Sequence, residues 1–230
     1  MSAPHIDLVI FDCDGVLIDS EIISAQMLVT ELQKFGVTID LDYVATHFLG
    51  RSYPTVMNQI RAEFGLDMPP EFEDQYRERL LAAFEADLRI MPHVKGVLDD
   101  LDLPYCVATS SSPRRAETSL RLVGLDALTG HRLFTSTMVT RGKPAPVLFL
   151  LALAAMGFDS PTRCLVIEDS LNGIRAARAA GMAVWRFTGG THLANRVLDE
   201  PLDAQPNGRF ASFARFFQSV PGLRQKAGPA

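Results

Sequence analysis

HIDLVIFDCDGVLIDS, residues 5–20, is the stretch whose reading decides the fold. An unbroken apolar tetrad, Leu8–Phe11, stops abruptly at Asp12, Cys13, Asp14 and Gly15. A tetrad with no polar residue in it predicts a strand buried on both faces, as in a parallel sheet. Two carboxylates at the end of such a strand are costly to bury, and a divalent cation is the simplest compensation. Alternation carried through the strand exit puts Asp12 and Asp14 on one side and Cys13 on the other. That arrangement suits one acid that attacks or binds metal and a second that also reaches the reacting group.

Beyond Ser20 the apolar period changes from 2 to 3.6. Ala25, Leu28, Val29 and Leu32 recur at helical spacing, so Glu21–Phe35 reads as a helix stopped by Gly36. Leu41–Leu49, Tyr53–Phe64 and Glu71–Phe84 also read as helices, and no strand-like segment occurs before Pro92. An all-helical block inserted after the first strand predicts a small separate domain. The division expected is a discontinuous core, residues 1–19 and 89–230, with a helical cap over residues 20–88.

From Val94 helices and strands alternate. Helices are expected at Val94–Leu101, Pro113–Val123, Pro146–Met156 and Leu171–Ala180; strands at Tyr105–Ala108, His131–Phe134, Cys164–Ile167 and Ala183–Phe187. This is the pattern of βαβ units and a mainly parallel sheet, an α/β fold. Pro201–Gly208 reads as a loop. Phe210, Phe213 and Phe217 sit at helix spacing and suggest a docking helix, and Lys226–Ala230 is expected to fray.

Composition narrows the class. The chain has 230 residues, 47% hydrophobic and 21% charged, and a net charge of -5 with no basic block, which weighs against a nucleic-acid partner. No run approaches eighteen uncharged apolar residues, and residues 1–7 lack the marks of a signal peptide, so no membrane association is expected. Cys13, Cys106 and Cys164 lie in apolar stretches without CxxC spacing, the pattern of reduced, buried thiols in a cytoplasmic protein. The five histidines, His5, His47, His93, His131 and His192, have no metal-site spacing, and none is assigned a role.

Ligands of an open parallel sheet sit beyond the carboxyl ends of its strands. The polar residues that interrupt the apolar strands fall there: Asp12 and Asp14, then Thr109 and Ser110, then Glu168 and Asp169. Lys143 stands between two of those strands in a GKPAP segment whose prolines restrict the backbone. Two acid clusters, a hydroxyl and a lysine are the inventory for holding Mg²⁺ and a phosphate together, with a carboxylate free to attack phosphorus. GxGxxG and GxxxxGK[ST] are both absent, which removes the dinucleotide-binding and P-loop readings.

The ordered set DxDGVxxDS, a strand ending in Thr-Ser-Ser, KPxP and VIEDSxxGxxAAxxAGM resembles the haloacid dehalogenase (HAD) superfamily, over about Ile6 to Thr188. It is most similar to the branch of phosphatases and β-phosphoglucomutases with a helical cap. The resemblance implies a Rossmann-like core and makes Asp12 the nucleophile, carrying an aspartyl-phosphate, and a Mg²⁺ ligand. It makes Asp14 the general acid and base, with its backbone carbonyl on the metal. Thr109 and Ser110 would hold phosphate oxygens, Lys143 would pair with the nucleophile and the phosphoryl group, and Glu168 and Asp169 would complete the metal set. Gly15 would allow the loop to turn beside the phosphate, and Asp19 and Ser20 would steady the hinge into the cap.

Two departures bear on the substrate, a small phosphorylated metabolite. Where the mutases carry a Gly-x-Ser followed by arginine, this chain has Gly50, Arg51, Ser52 and Tyr53; where they carry a histidine at the start of the cap it has Ser24. Without that histidine, transfer to water is expected over transfer between sugar hydroxyls. Arg51 and Tyr53 are candidate contacts for the non-transferred end, with Phe48 and Met57 as further pocket wall. A sugar phosphate or a phosphosugar acid such as 6-phosphogluconate fits such a wall. The alternatives are a β-phosphoglucomutase-type enzyme and a catalytically inactive phosphoacceptor or metabolite-binding module. Oligomeric state is left open.

Overall fold

The computed structural model describes residues 5–48, 50–220 and 223. The expectations for Lys226–Ala230 and for Leu49 lie outside them. Among the described residues six strands form one sheet: β1 (Leu8–Phe11), β2 (Tyr105–Thr109), β3 (Leu133–Thr135), β4 (Cys164–Glu168), β5 (Ala183–Phe187) and β6 (Gly208–Phe210). Their order is β3-β2-β1-β4-β5-β6, and every pairing is parallel.

β1 is central because it is apolar on both sides. Val9 and Phe11 belong to one apolar cluster, and Leu8 and Ile10 to the other, so successive side chains feed the two faces of the sheet. Register does the rest. Phe11 lies beside Val107 and Ile167, so the residues that follow β1, β2 and β4 emerge at one edge of the sheet.

These helices fall where the sequence places them: α1 (Glu21–Gln33), α2 (Leu41–His47), α3 (Tyr53–Phe64), α4 (Phe72–Asp87), α5 (Val94–Asp100), α6 (Pro113–Leu122), α7 (Val147–Ala155) and α8 (Leu171–Ala179); a four-residue α9 (Phe216–Ser219) follows. Their ends have local causes. Asp40 caps α2 by accepting from the backbone N–H of Tyr43 at 2.7 Å, and Ser170 caps α8 by accepting from that of Gly173 at 3.1 Å. α1–α4 form a helical layer above the strand ends.

The chain enters and leaves that layer through two segments lying side by side. The backbone N–H of Asp19 donates to the Arg89 carbonyl at 2.9 Å, and that of Met91 to the Leu17 carbonyl at 2.9 Å, around an Ile18–Ile90 bridge.

The C-terminal region corrects the sequence reading. Phe210 closes a sixth strand where a loop and then a helix were expected, Phe213 sits in a 3₁₀ turn, and helix begins only at Phe216. Phe187, Phe210, Phe213 and Phe216 pack ring against ring with centroids 4.7–5.6 Å apart. The strand–turn–helix path brings the rings together as well as one helix face would, so spacing alone misleads.

Candidate active site

The edge where β1, β2 and β4 end opens into a cavity of roughly 230 Å³, roofed by α1–α4. Asp12, Asp14, Thr109, Ser110, Lys143, Glu168 and Asp169 all line it, as do Phe48, Arg51, Tyr53 and Met57 on the helical side.

Asp12 leaves β1 buried, its backbone N–H donating to the Ile167 carbonyl at 2.9 Å. Lys143 reaches it from the β3–α7 connection. Its Nζ donates to Asp12 Oδ1 at 2.5 Å and to Glu168 Oε1 at 2.7 Å, and stands 4.8 Å from the centroid of the Phe149 ring. Glu168 is held at its other oxygen by the backbone N–H and hydroxyl of Ser170, at 2.7 and 2.9 Å. Gly173 makes room for it: a Cβ there would fall 1.7 Å from Glu168 Oε1.

Asp12, Glu168 and Asp169, all buried, each present an oxygen within 4.8 Å of the others. Burial pushes the Asp12 carboxyl well above its ordinary pKa; Lys143 opposes this, while Glu168, Asp169 and Asp14 add to it. Burial and then Glu168 push Asp169 up in the same way. Three carboxylates facing one ammonium need further positive charge to remain ionised together. Asp169 Oδ2 is buried, and its polar neighbour, His192 Nε2 at 2.8 Å, is not aligned for a hydrogen bond. A buried, all-oxygen donor set of three carboxylates fits a hard divalent cation.

Asp14 is treated differently, and its side chain is not in that triad. Its Oδ1 accepts from Ser20 Oγ at 2.6 Å and Arg115 Nη2 at 2.7 Å; its Oδ2 accepts from Ser111 Oγ at 2.6 Å and Thr109 Oγ1 at 3.3 Å. Burial would raise its pKa, but Arg115 and the hydroxyls of Ser111 and Ser20 outweigh it and hold the carboxyl below its usual value. Two acids two residues apart are thus pushed in opposite directions: without a cation the site favours the protonated form of Asp12 and the ionised form of Asp14. Gly15 follows at φ 76°, where a Cβ would stand 2.3 Å from Asp169 Oδ2.

Thr109 is buried and accepts from the Ser111 backbone N–H at 3.1 Å. The Ser110 hydroxyl donates to the Gly50 carbonyl at 3.4 Å, joining the strand exit to the helical layer. Arg51 and Tyr53 stand on the wall of that layer. Arg51 is exposed and donates to Gln59 Oε1 at 2.6 Å, while Tyr53 is half-buried beside Tyr76 and under the Arg77 guanidinium.

Four residues of this region carry no site assignment from the sequence: Ser111, Arg115, Glu21 and His192. Arg115 lies on the face of α6 that includes buried Ala116, Ser119 and Leu120. It donates to Ser24 Oγ at 3.1 Å as well as to Asp14, with its guanidinium over the Phe84 ring. Periodicity along α6 would have separated it from exposed Arg114. Glu21, at the start of α1, lines the cavity, and burial, then Asp14, push its pKa up to about 7. His192 is buried behind Asp169 and has no periodic signal at all.

Comparison with known proteins decides the family. Residues 6–181 match the model of the haloacid dehalogenase-like hydrolases. The chain belongs to that family. Among curated relatives, the 6-phosphogluconate phosphatase of Escherichia coli K12 is 29% identical over 189 residues, 82% of this chain and 85% of its own. Among solved structures, a conserved haloacid dehalogenase-like protein from Agrobacterium tumefaciens superposes with TM-score 0.74 at 33% identity, covering 92% of this chain and 96% of its own. A HAD family hydrolase from Deinococcus radiodurans, solved with bound phosphate and sodium, does so with TM-score 0.70 at 30% identity, covering 93% and 94%. The HAD fold and the acid cluster make this chain a HAD-like phosphomonoester hydrolase with a site compatible with a divalent metal.

Proposed function

We propose that the chain hydrolyses a small phosphorylated sugar or sugar acid, with Asp12 as nucleophile and Mg²⁺ as the cofactor. One observation carries the reading. A buried lysine bridges Asp12 and Glu168, while Asp14, two residues on, is held by an independent set of donors. A nucleophile must stay ionised and be charge-compensated before it can approach a phosphate, and the Lys143 pair supplies part of that compensation. Asp12, Glu168 and Asp169, with the Asp14 carbonyl, would hold the Mg²⁺, which supplies charge neutralisation at the phosphoryl oxygens.

In the first half-reaction an Asp12 carboxylate oxygen forms a bond to phosphorus as the bond to the leaving oxygen breaks, and Asp14, which is ionised in the free site and takes up a proton when the anionic substrate binds, gives that oxygen the proton. In the second, Asp14 takes a proton from water, which attacks phosphorus and frees Asp12 and inorganic phosphate. Thr109, Ser110 and the turn at Gly15 cradle the phosphoryl group. The helical layer, residues 20–88, serves as a cap that closes over the cleft about the paired segments near Asp19 and Arg89, with residues 1–19 and 89–230 as core. Arg51 and Tyr53, on the cap, meet the part of the substrate that is not transferred.

Hydrolysis is favoured over phosphomutase chemistry because residue 24 is a serine whose hydroxyl is occupied by Ser20 and Arg115, leaving no base there to pass a proton to a second sugar hydroxyl. A phosphosugar acid is favoured by Arg51 and Arg115 at the cavity and by the named activity of the Escherichia coli relative. Free, buried Cys13, Cys106 and Cys164 agree with a cytoplasmic setting; among the described residues, no helix is long and apolar enough to cross a membrane.

The test is phosphate release with Mg²⁺ from 6-phosphogluconate, glucose 6-phosphate, β-glucose 1-phosphate, phosphoglycolate and a nucleoside monophosphate. Release should favour the sugar acid phosphate and vanish in Asp12→Asn. Conversion of β-glucose 1-phosphate to glucose 6-phosphate without net release would replace this reading by a mutase.

A further inference from the structure

The segment after β5 reaches the acid cluster from behind. His192 is buried and does not line the cavity, yet its Nε2 lies 2.8 Å from Asp169 Oδ2. Neither ring nitrogen has an aligned hydrogen-bond partner. Burying such groups unsatisfied costs on the order of 1–3 kcal/mol, and an apolar side chain would fill the space without that cost. Packing therefore does not account for a histidine here.

Two glycines clear its seat. A Cβ on Gly15 would come within 2.9 Å of His192 Cε1, and one on Gly190 within 2.5 Å. The turn that carries the ring is fixed at two further points. The Thr191 backbone N–H and hydroxyl donate to Asp19 Oδ1 at 3.2 and 2.9 Å, on the segment leading into the helical layer. Arg196 donates from Nε to the His192 carbonyl at 2.9 Å and from Nη2 to Asp42 Oδ1, in α2, at 2.7 Å.

We infer that His192 is a positioning residue for the cation site: from behind, it holds the Asp169 carboxylate in the orientation that completes the triad. Because its turn is tied to Asp19 and α2, the same contact links the geometry of the triad to the entrance of the cap. The inference rests on the reading of Asp12, Glu168 and Asp169 as the metal site. Groups behind a metal ligand that orient it typically govern 10–100-fold in metal affinity, by roughly the same means in unrelated sites.

The test is calorimetric titration of Mg²⁺, without substrate, into the full chain and into His192→Ala, His192→Asn and Asp169→Asn, beside thermal denaturation of each in EDTA. The expected result is abolished binding in Asp169→Asn and affinity weakened about 10–100-fold in His192→Ala. His192→Asn, which keeps a donor, should recover part of that loss, and the melting temperature in EDTA should change little. Unchanged Mg²⁺ affinity in His192→Ala, with binding still dependent on Asp169, would overturn the inference and leave the metal site standing. Mg²⁺ binding that survives in Asp169→Asn would overturn both.

Discussion

Replacing Lys143 by methionine separates charge from volume at the centre of the site. Methionine keeps most of the aliphatic stem against Phe149 and removes the ammonium that bridges Asp12 and Glu168 at 2.5 and 2.7 Å. The Lys143 side chain is 1% exposed and its partners 9% and 1%, so water cannot take over the lost contacts. Burial lowers the lysine's pKa, but Asp12 and Glu168 more than reverse this and hold it above its ordinary value, so the residue removed is a cation at every working pH.

Breaking a buried pair by deleting one partner costs about 3–5 kcal/mol, because the other charge is left uncompensated. For a chain of this size, that is a fall in melting temperature of roughly 6–20 °C at about 2–4 °C per kcal/mol. The deficit should be largest in EDTA. A cation present at one hundred times its dissociation constant adds about 2.7 kcal/mol to parent and variant alike, and Lys143→Met, whose carboxylates have lost their ammonium, should bind Mg²⁺ more tightly than the parent and so recover part of the deficit. Activity should not return with it, since the cation cannot replace a donor aimed at the transferring group; a loss on the order of 100- to 1000-fold in kcat is expected. Paired denaturation curves in EDTA and Mg²⁺, beside phosphate release, read all three effects. A variant as stable as the parent in EDTA would refute the charge argument. One that regains full activity in Mg²⁺ would refute the assignment of Lys143 to the phosphoryl group.

Arg115→Gln should lower kcat/KM about 10-fold or more for a phosphorylated sugar acid while sparing p-nitrophenyl phosphate more, a split that steady-state kinetics on the two substrates measures; equal losses would return Arg115 to holding Asp14 alone. Glu21→Gln should change how stability varies with pH. The folded-state pKa of Glu21 is raised from 4.5 to about 7, so between those values the native chain binds more protons than the unfolded one, and stability falls as pH rises. Discounted for partial exposure, that penalty is about 2 kcal/mol above pH 7, at roughly 1.4 kcal/mol per unit. The variant should therefore gain stability over the parent at pH 8 and none at pH 4; urea denaturation at both checks it, and an equal gain at both would contradict the shift.

Much of the site was legible in the chain because a doubly buried strand admits few polar residues, so those that end one stand out. Asp12, Thr109 and Glu168 end or follow strands with only apolar residues on the approach, and their strand register brings them to one edge. Lys143 was marked by its prolines. β6 was not legible. Its three residues, Gly208, Arg209 and Phe210, alternate between partly exposed, exposed and buried at the sheet's edge, so they form no apolar run. Ser111, Arg115 and His192 were missed for a related reason. Each acts across segments far apart in sequence, 97, 101 and 23 residues in their contacts with Asp14, Asp14 and Asp169; the period of α6 places Arg115 on an inward face but does not say what it meets there, and no period marks Ser111 or His192.

Covalent catalysis by Asp12 is the claim on which the rest depends, and Asp14→Asn with p-nitrophenyl phosphate and Mg²⁺ tests it most directly. Nitrophenolate leaves without a general acid, so attack by Asp12 proceeds; hydrolysis of the aspartyl-phosphate then lacks its base. The account predicts a burst of nitrophenolate stoichiometric with protein, and a protein heavier by one phosphoryl group, mapped by peptide mass to Asp12. Steady turnover with no burst and no phosphorylated protein, or a phosphoryl group on any other residue, would contradict it.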